Sequence, residues 1–590
     1  MRMTPQAKTT HLHSEHTLQE RTASRPLSIS AVTGLFAAGS ALFLSTSLVG
    51  VWAAYDRSDA ILRFVLLALG VLIVWIVPRL DFGGRDATVG WLGLTAAWIG
   101  ALVGGLYLAV TAADRLGIGN IGPGSALFDG GLHDNAVAGL LVVLLPLALA
   151  GIVSARSLRQ TSLLVLAAIA VSFALAALAV SESRGASIGL LYGATAAGYA
   201  AWRFRPGRSR RWLITDVLFL SFSAACLAVY VYAIVGGGPG WLPHELQKVS
   251  RQVTSASSRL QLWRDSLALI GDYPFTGSGL TGTAMVLSTY VYLLHVPFLN
   301  HAHNLYLQIA VEQGIPGVIG FLIMVSASFA ALAESWPTMR GLGRVFAALT
   351  LASLVAMLVH GLFDSELYVS VFVPVVFLPL GIAFLIHRRR SDQPLGLEWP
   401  AYRIRPLPAA MAALLVVGLT AAVLFGPWGL RLKSAAYANL GAVEQTRAEL
   451  GVYEWPLYPS QDSVRRAGGA DLALAMDLLA KALQSNPSNR TANFRLGQLA
   501  LANNNRDAAG EYLSIAHAHA RLARAVPFLL GEIAASKGDT VEAVRLWQEA
   551  RADERQLASR QLWYDYIGEG DTALLIEEIG QIIAQRDGTN

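Results

Sequence analysis

The residues best suited to chemistry form one short run in the second half of the chain. The run reads Asn300-His301-Ala302-His303-Asn304-Leu305-Tyr306-Leu307-Gln308. Histidine is the side chain best able to accept a proton near neutral pH, so His301 and His303 are candidate bases. The plainer alternative is that both histidines cap a helix at an interface.

A polar stripe follows these histidines. Asn304, Gln308 and Glu312 recur every fourth residue, which predicts one polar face on a helix that is otherwise apolar. Gly314 and Pro316 then predict a break before the next apolar run. The run is therefore interpreted as a helix start that faces water at the membrane surface.

Arginines and other polar groups occur near the ends of several apolar runs. Arginine is suited to binding phosphate oxygens because its planar guanidinium group stays charged and donates two hydrogen bonds at once. Each one taken alone is better explained as a snorkelling or ion-paired side chain, and Glu182 is a local partner for Arg184. Taken together, they suggest an anionic headgroup as substrate. The groups are Ser183-Arg184-Gly185, Ser258-Arg259, Trp263-Arg264, the turn with Pro274, Gly277 and Gly279, His133-Asp134-Asn135, and His360 with Asp364.

The composition indicates a membrane protein. Of 590 residues, 54% are hydrophobic and only 14% are charged, well below the quarter usual in soluble domains. The net charge of +5 is modest, and the arginines lie between apolar runs, which fits membrane topology better than nucleic-acid binding. The single cysteine, Cys226, excludes a disulfide framework and a thiolate metal cluster.

Apolar periodicity predicts about eleven membrane spans, each near the 20 residues that a bilayer requires. With the N-terminus in the cytoplasm, alternate loops carry the arginines, as the positive-inside rule expects. The polar groups described above then lie on the non-cytoplasmic side. The predicted spans are 29–51, 60–78, 89–112, 134–154, 161–180, 185–202, 212–235, 314–333, 343–363, 366–387 and 407–427.

The fold class is therefore all-α, with a polytopic bundle followed by a soluble helical domain. We expect a cytoplasmic polar tail at 1–28, a transmembrane domain at 29–430 and an extracytoplasmic domain at 431–590. The transmembrane domain includes a large external loop at 236–313. Within it, residues 280–298 are apolar but interrupted by proline, which predicts an interfacial or re-entrant piece.

The C-terminal domain contains an internal repeat of 34 residues. Leu496-Gly497-Gln498-Leu499 aligns with Leu530-Gly531-Glu532-Ile533 at that spacing, and small residues recur with the same period at Ala482, Ala516 and Ala550. This period is typical of tetratricopeptide repeats, which stack helix pairs into a concave surface. A protein- or glycan-docking module and a simple spacer are both consistent with it.

The combined motifs resemble the O-antigen ligase and polymerase superfamily. The resemblance rests on His301-Ala302-His303-Asn304-Leu305-Tyr306-Leu307 followed by Glu312-Gln313-Gly314. Ser183-Arg184-Gly185 and the series Arg259, Trp263, Pro274, Gly277 and Gly279 precede it in the family's order. The similarity covers about 130–380, and relatives with C-terminal tetratricopeptide regions also occur. The ligases typically have twelve spans, so the eleven predicted here are one fewer.

The resemblance implies transfer of a glycan from a polyprenyl-pyrophosphate carrier to an acceptor hydroxyl at the bacterial inner membrane. His303 is the expected catalytic base, and the expected pyrophosphate ligands are Arg184, Arg259 and Arg264. His301, Asn304, Glu312 and Asn135 are expected to support the site. The acceptor is a glycan, a lipid or a protein, so ligase, repeat-unit polymerase and O-linked protein oligosaccharyltransferase stay open. Single displacement at the anomeric carbon would invert its configuration.

No cofactor and no metal are expected, since no Asp-x-Asp pair or histidine–carboxylate cluster has ligand spacing. Partners are then the lipid-linked donor, the acceptor, membrane lipid and a protein bound through the repeats. Two alternatives of other classes are a polysaccharide transporter and a non-catalytic scaffold. The transporter is disfavoured because few ionisable residues lie mid-span and no inverted repeat is evident.

Overall fold

The fold is all-helical over the residues that the computed structural model describes, which are 29–116, 134–203, 221, 225, 254–293, 300–388, 427–454, 460–519 and 523–587. The helices of the apolar half are α1 Ile29–Ala53, α2 Arg57–Ile76, α3 Arg85–Arg115, α4 Asp134–Ser157, α5 Thr161–Val180, α6 Arg184–Arg203, α7 Thr254–Asp272, α8 Thr283–Tyr292, α9 Leu305–Ser335, α10 Leu342–His360, α11 Glu366–Val369 and α12 Leu378–Arg388.

Seven of these helices are long and apolar enough to cross a membrane. They correspond to predicted spans one to five, eight and nine. Helix α6 matches predicted span six in position and length, although it is less apolar than the seven. The predicted spans 212–235 and 407–427 lie outside the described residues, apart from positions 221 and 225.

The predicted span 366–387 is not one continuous helix. It consists of the short helix α11, a 3-10 turn at Val373–Phe377 and helix α12. Arg63 of α2 explains the break, because its buried guanidinium donates to the backbone carbonyls of Tyr368, at 2.6 Å, and of Val369. These carbonyls would otherwise lack partners at the end of a helix inside an apolar bundle.

Small residues set the closest helix contacts in the bundle. Gly189 and Gly193 of α6 lie against the backbone carbonyls of Ala356 and Ala352 on α10. Glycine and alanine four residues apart allow two membrane helices to approach without side chains between them. This contact fixes the start of α6 beside the end of α10.

Helix α9 is broken where the sequence predicts a break. It begins at Leu305, nine residues before the predicted span 314–333, and Gly314 interrupts it with a φ of 73°. The turn between α7 and α8 packs into that break: the Ile315 amide donates to the Pro274 carbonyl at 2.9 Å, and the Ser278 amide to the Val311 carbonyl at 2.7 Å. A β-carbon at Gly277, whose φ is 68°, would collide with the α9 backbone.

The C-terminal helices repeat one packing pattern. They are α13 Pro427–Gly451, α14 Gln461–Ala467, α15 Ala473–Ser485, α16 Arg490–Ala502, α17 Arg506–His519, α18 Ala525–Ser536, α19 Thr540–Ala550, α20 Glu554–Tyr566 and α21 Gly570–Asp587. The recurring alanines 482, 516 and 550 are buried at equivalent positions of α15, α17 and α19. Gly497 lies against Leu513. The same contact recurs one repeat later, where Gly531 lies against Trp547 and both residues are shifted by 34 positions.

The C-terminal helices hold the segment that carries α7 and α8. Asp272, which is almost fully buried, accepts hydrogen bonds from Arg490 at 2.5 Å and Thr491 at 2.7 Å. The Tyr273 hydroxyl lies 2.6 Å from that of Thr446. Asn439 accepts from the Phe275 amide at 2.9 Å, so the turn before Gly277 is anchored from the C-terminal side.

Replacing Asp272 with alanine should loosen the C-terminal helices from this segment. Loss of one member of a buried, hydrogen-bonded ion pair costs about 3–5 kcal/mol because its partners stay buried and uncompensated. We expect trypsin to cleave the tail of the D272A protein at lower urea concentrations than the tail of the wild type. Asp477→Ala, which removes an exposed pair with Lys481 and leaves the trypsin site at Lys481 in place, is the control and should cause no shift. Equal cleavage profiles for D272A and wild type would contradict the anchoring role.

Candidate active site

The start of α9 is fixed against the turn that follows α10. Asn304 is the N-cap of α9, and its side-chain oxygen accepts from the amides of Tyr306 and Leu307 at 3.0 Å. Its amide group donates to the Leu362 carbonyl at 3.0 Å, and the Leu305 amide donates to the Gly361 carbonyl at 2.7 Å. Residues 301–303 therefore face residues 361–366.

His303 and Asp364 form a pair across this contact. Nδ1 of His303 lies 3.3 Å from Oδ2 of Asp364, and the other carboxylate oxygen accepts from the Glu366 amide at 2.7 Å. Asp364 is buried, whereas the His303 side chain is 30% exposed. A carboxylate on Nδ1 favours the tautomer whose Nε2 has the lone pair, which makes Nε2 the basic nitrogen. His303 also has a φ of 48°, unusual for a residue other than glycine.

His301 lies behind His303 and belongs to a second histidine–carboxylate pair. Its Nδ1 lies 3.1 Å from the Ser365 hydroxyl and its Nε2 lies 3.2 Å from Glu366. The two imidazole rings are 4.0 Å apart, and His301 is only 6% exposed. His301 is therefore placed to position His303 rather than to meet a ligand.

The pKa values of the pair fit a base and its orienting carboxylate. Burial lowers the pKa of His303; the Asp364 hydrogen bond opposes this, and His301 and the positive charge of Arg259 lower the pKa further, so it lies below its ordinary value. Burial alone would raise the pKa of Asp364, but His303, His360 and His301 outweigh it and keep the carboxylate ionised. Near neutral pH, His303 is therefore neutral beside a charged Asp364.

Glu312 lies away from the histidine pair. It is fully buried, and Oε1 accepts from Gln308 at 2.8 Å and from Thr283 of α8 at 3.3 Å. Gln308 in turn accepts from the Ala302 amide at 2.9 Å. The predicted polar stripe thus exists, but beyond Asn304 it joins α9 to α8 and supports the backbone of the histidine run.

Arg184 begins α6 at the same end of the bundle as the histidines. A β-carbon at the adjacent Gly185 would lie 3.1 Å from Cβ of Phe363, immediately before Asp364. Arg184 is exposed, and no ion pair joins it to Glu182 among the described residues. Asn135 is half-buried at the start of α4, next to Asp134, which accepts from the Tyr107 hydroxyl at 2.7 Å.

Two arginines of α7 face different surroundings. Arg259 is close enough to the histidine pair for its charge to lower the pKa of His303. Arg264 lies five residues further, about 140° around the helix. It lines a cavity against the C-terminal helices together with Arg524 and Arg551. The structure therefore brings Arg259, but not Arg264, towards His303.

The orienting carboxylates are the residues that sequence reasoning left out of the site. Asp364 was visible only as a polar residue near the end of a predicted span, and Glu366 was placed inside the next span. They contact the histidines across 61 and 65 residues of sequence, so local spacing gave no signal. His360 is buried among α4, α6 and α10, where glycines 139, 185 and 189 leave room for its ring.

These features define a membrane-embedded helical domain with a histidine–carboxylate pair and arginines at one end of the bundle. Residues 169–322 match the family model described as O-antigen ligase, which spans Arg184, Arg259 and the histidine run. Over these residues the chain is similar to O-antigen ligases, which supports a membrane glycan-transfer function of the ligase and polymerase type, and its apolar helices indicate a multi-pass membrane protein. No curated protein matches the chain.

Diethyl pyrocarbonate, which acylates neutral imidazole, should distinguish the histidines of the site. We expect modification of His303 before His301 and His360, since only His303 is substantially exposed. Because its pKa is lowered, the rate at His303 should reach half its plateau below pH 6.5, the ordinary histidine value being about 6.5. Peptide mass spectrometry across a pH series measures both. Preferential labelling of His301, or a midpoint above pH 6.5, would contradict this geometry.

Proposed function

We propose that the protein transfers a glycan from a polyprenyl-pyrophosphate carrier to an acceptor hydroxyl on the extracytoplasmic side of the bacterial inner membrane. The observation that carries the proposal is the His303–Asp364 pair, located at the end of the bundle within range of the Arg259 charge and in a chain with an O-antigen ligase domain. The coarser assignment, a membrane glycosyltransferase of the ligase and polymerase type, is the part that the family match supports directly.

In the proposed reaction His303 is the general base. The acceptor oxygen attacks the anomeric carbon as its proton passes to Nε2 of His303. The bond between that carbon and the pyrophosphate oxygen breaks, and its electron pair leaves with the carrier pyrophosphate. Asp364 holds the ring and stabilises the imidazolium that forms. A single displacement of this kind inverts the anomeric configuration.

The arginines at this end of the bundle are the proposed ligands of the pyrophosphate. Negative charge grows on the leaving group, and fixed cationic donors stabilise such charge in the transition state. Arg259 is near His303, and Arg184 starts α6 beside the turn that holds Asp364. Arg264 is assigned instead to the cavity formed with the C-terminal helices. Asn304 and His301 are positioning residues, and Glu312 is structural.

We propose that 431–590 is a tetratricopeptide-like domain on the same side as the active site. The support is the repeated contact of a glycine with a bulky residue 16 positions later, at Gly497 with Leu513 and again at Gly531 with Trp547. Its attachment through Asp272 links it to α7, which carries Arg259. The domain therefore helps to position the pyrophosphate site.

The proposed activity is tested with purified protein and a lipid-linked oligosaccharide, offered several acceptors. Ligation yields glycan on a lipid core or a protein, whereas polymerisation yields a longer chain that is still on the carrier. Release of free carrier pyrophosphate accompanies either product. A protein that binds the donor but produces neither product with any acceptor would refute glycan transfer and favour transport or a scaffold role.

His303→Ala should lower kcat by about 10²–10⁴-fold, the usual contribution of a general base. Asp364→Asn should lower kcat by roughly 10- to 100-fold, because a hydrogen bond to a charged group contributes about 1.5–3 kcal/mol. Since Asp364 raises the pKa of His303, its loss should also move the acid limb of the rate profile to lower pH. Steady-state rates from pH 5 to 8 measure both effects. An unshifted limb in D364N would mean that Asp364 is only structural.

Arg184→Lys should impair transfer although it preserves the charge, because lysine cannot donate two parallel hydrogen bonds to one phosphate. We expect at least an approximately tenfold fall in kcat/KM for the lipid-linked donor. The matched control is Arg203→Lys at the other end of α6, roughly 28 Å away, which should leave the rate unchanged. If Arg184→Lys retains full activity, the proposal that Arg184 binds phosphate through two parallel hydrogen bonds is wrong.

A further inference from the structure

A cavity between α7 and the C-terminal helices has the features of a ligand site. Its volume is about 660 Å³, and one wall comes from α7 while the other comes from α17, α18 and α19. The polar side chains that line it are Gln261, Arg264, His517, Arg524, Glu549 and Arg551. Three guanidinium groups thus line the cavity, and Glu549 is the carboxylate among the described residues that line it.

The internal contacts of the cavity leave the charges of Arg264 and Arg551 without a directly bonded carboxylate. Arg524 pairs with Asp265 at 3.1 Å, and His517 lies 2.7 Å from Glu549. Arg551 donates to the neutral Gln261 at 3.3 Å, so its charge is not neutralised by that contact. Arg264 is half-buried and makes no direct hydrogen bond or ion pair within the described part of the chain, and its charge acts on the buried Asp265 only at longer range. A half-buried cation of this kind attracts an anion.

We propose that this cavity binds an anionic stretch of the glycan, in which the sugars carry carboxylate or phosphate groups. The inference rests on the proposed function, because the link to glycan is helix α7. Its residues Gln261 and Arg264 line the cavity, while Arg259, within the next turn, lies near His303. A chain attached at the transfer site would reach the cavity by passing around α7, since Arg259 and Arg264 lie on different faces of that helix. Amide and guanidinium donors suit sugar hydroxyls and anionic groups.

A protein partner with an acidic segment is the competing occupant. The glycan is favoured because both walls contribute to the cavity and one of them is the helix that approaches the active site. A peptide bound only to the repeats would not need Arg264. This difference sets the choice of variants.

The test measures binding of oligogalacturonate to the full-length protein in nanodiscs, with a neutral malto-oligosaccharide of equal length and an oligoglutamate peptide as comparisons. We expect the acidic sugar to bind most tightly and its affinity to fall with salt. Arg264→Gln and Arg551→Gln, one from each wall, should each raise its Kd at least about tenfold. Lys481→Gln, on the exposed face of α15, should leave Kd unchanged.

His303→Ala separates this inference from the proposed function. The variant should retain oligogalacturonate binding while losing transfer. If wild-type protein binds the acidic sugar but transfers no glycan, the proposed function fails and the site stands. Equal binding of neutral and acidic sugars, tighter binding of oligoglutamate, or unchanged Kd in both arginine variants would each overturn the glycan site.

Discussion

The site depends on the contact between the start of α9 and the turn after α10. The Leu305 amide and the Asn304 side chain both bond to carbonyls of that turn, so two helices distant in sequence are held in a fixed register. The same contact places His303 on Asp364 and His301 on Glu366. Because the helix cap and the histidine pair share one stretch of backbone, a change in the cap also moves the base. Stability and chemistry are therefore coupled at Asn304.

A second contact extends this arrangement to the C-terminal domain. The turn 273–280 packs on the break of α9 on one side and is held by Asn439 and Thr446 on the other. Only glycine fits at 277, since a side chain would collide with α9. Helix α7 ends at this turn and carries Arg259 at its far end. The C-terminal helices thus hold the helix that positions the Arg259 guanidinium near the site. This role is separate from any ligand that they bind.

Local patterns predicted much of this correctly, and the errors have a common cause. The helix start in the histidine run, the break at Gly314 and seven apolar spans follow from polar patterning, glycine and hydropathy, which are properties of neighbouring residues. The break in 366–387 arises from Arg63, some 300 positions earlier, and Asp364 reaches His303 only through the packing of α10 on α9. The surroundings of the Arg264 side chain depend on which side of α7 packs against the C-terminal helices. Such long-range contacts have no signature in a single sequence.

The electrostatics of the site contain a conflict that Asp364 resolves. A pyrophosphate leaving group requires nearby cations, yet each cation makes it harder for His303 to take up a proton, and Arg259 does lower its pKa. A base that can never be protonated cannot remove the acceptor proton. The buried Asp364 carboxylate, kept ionised by three surrounding histidines, offsets the cations at Nδ1 and leaves Nε2 basic. Without Asp364, the pKa of His303 should therefore be lowest when the pyrophosphate site is empty, because no bound diphosphate then supplies compensating negative charge.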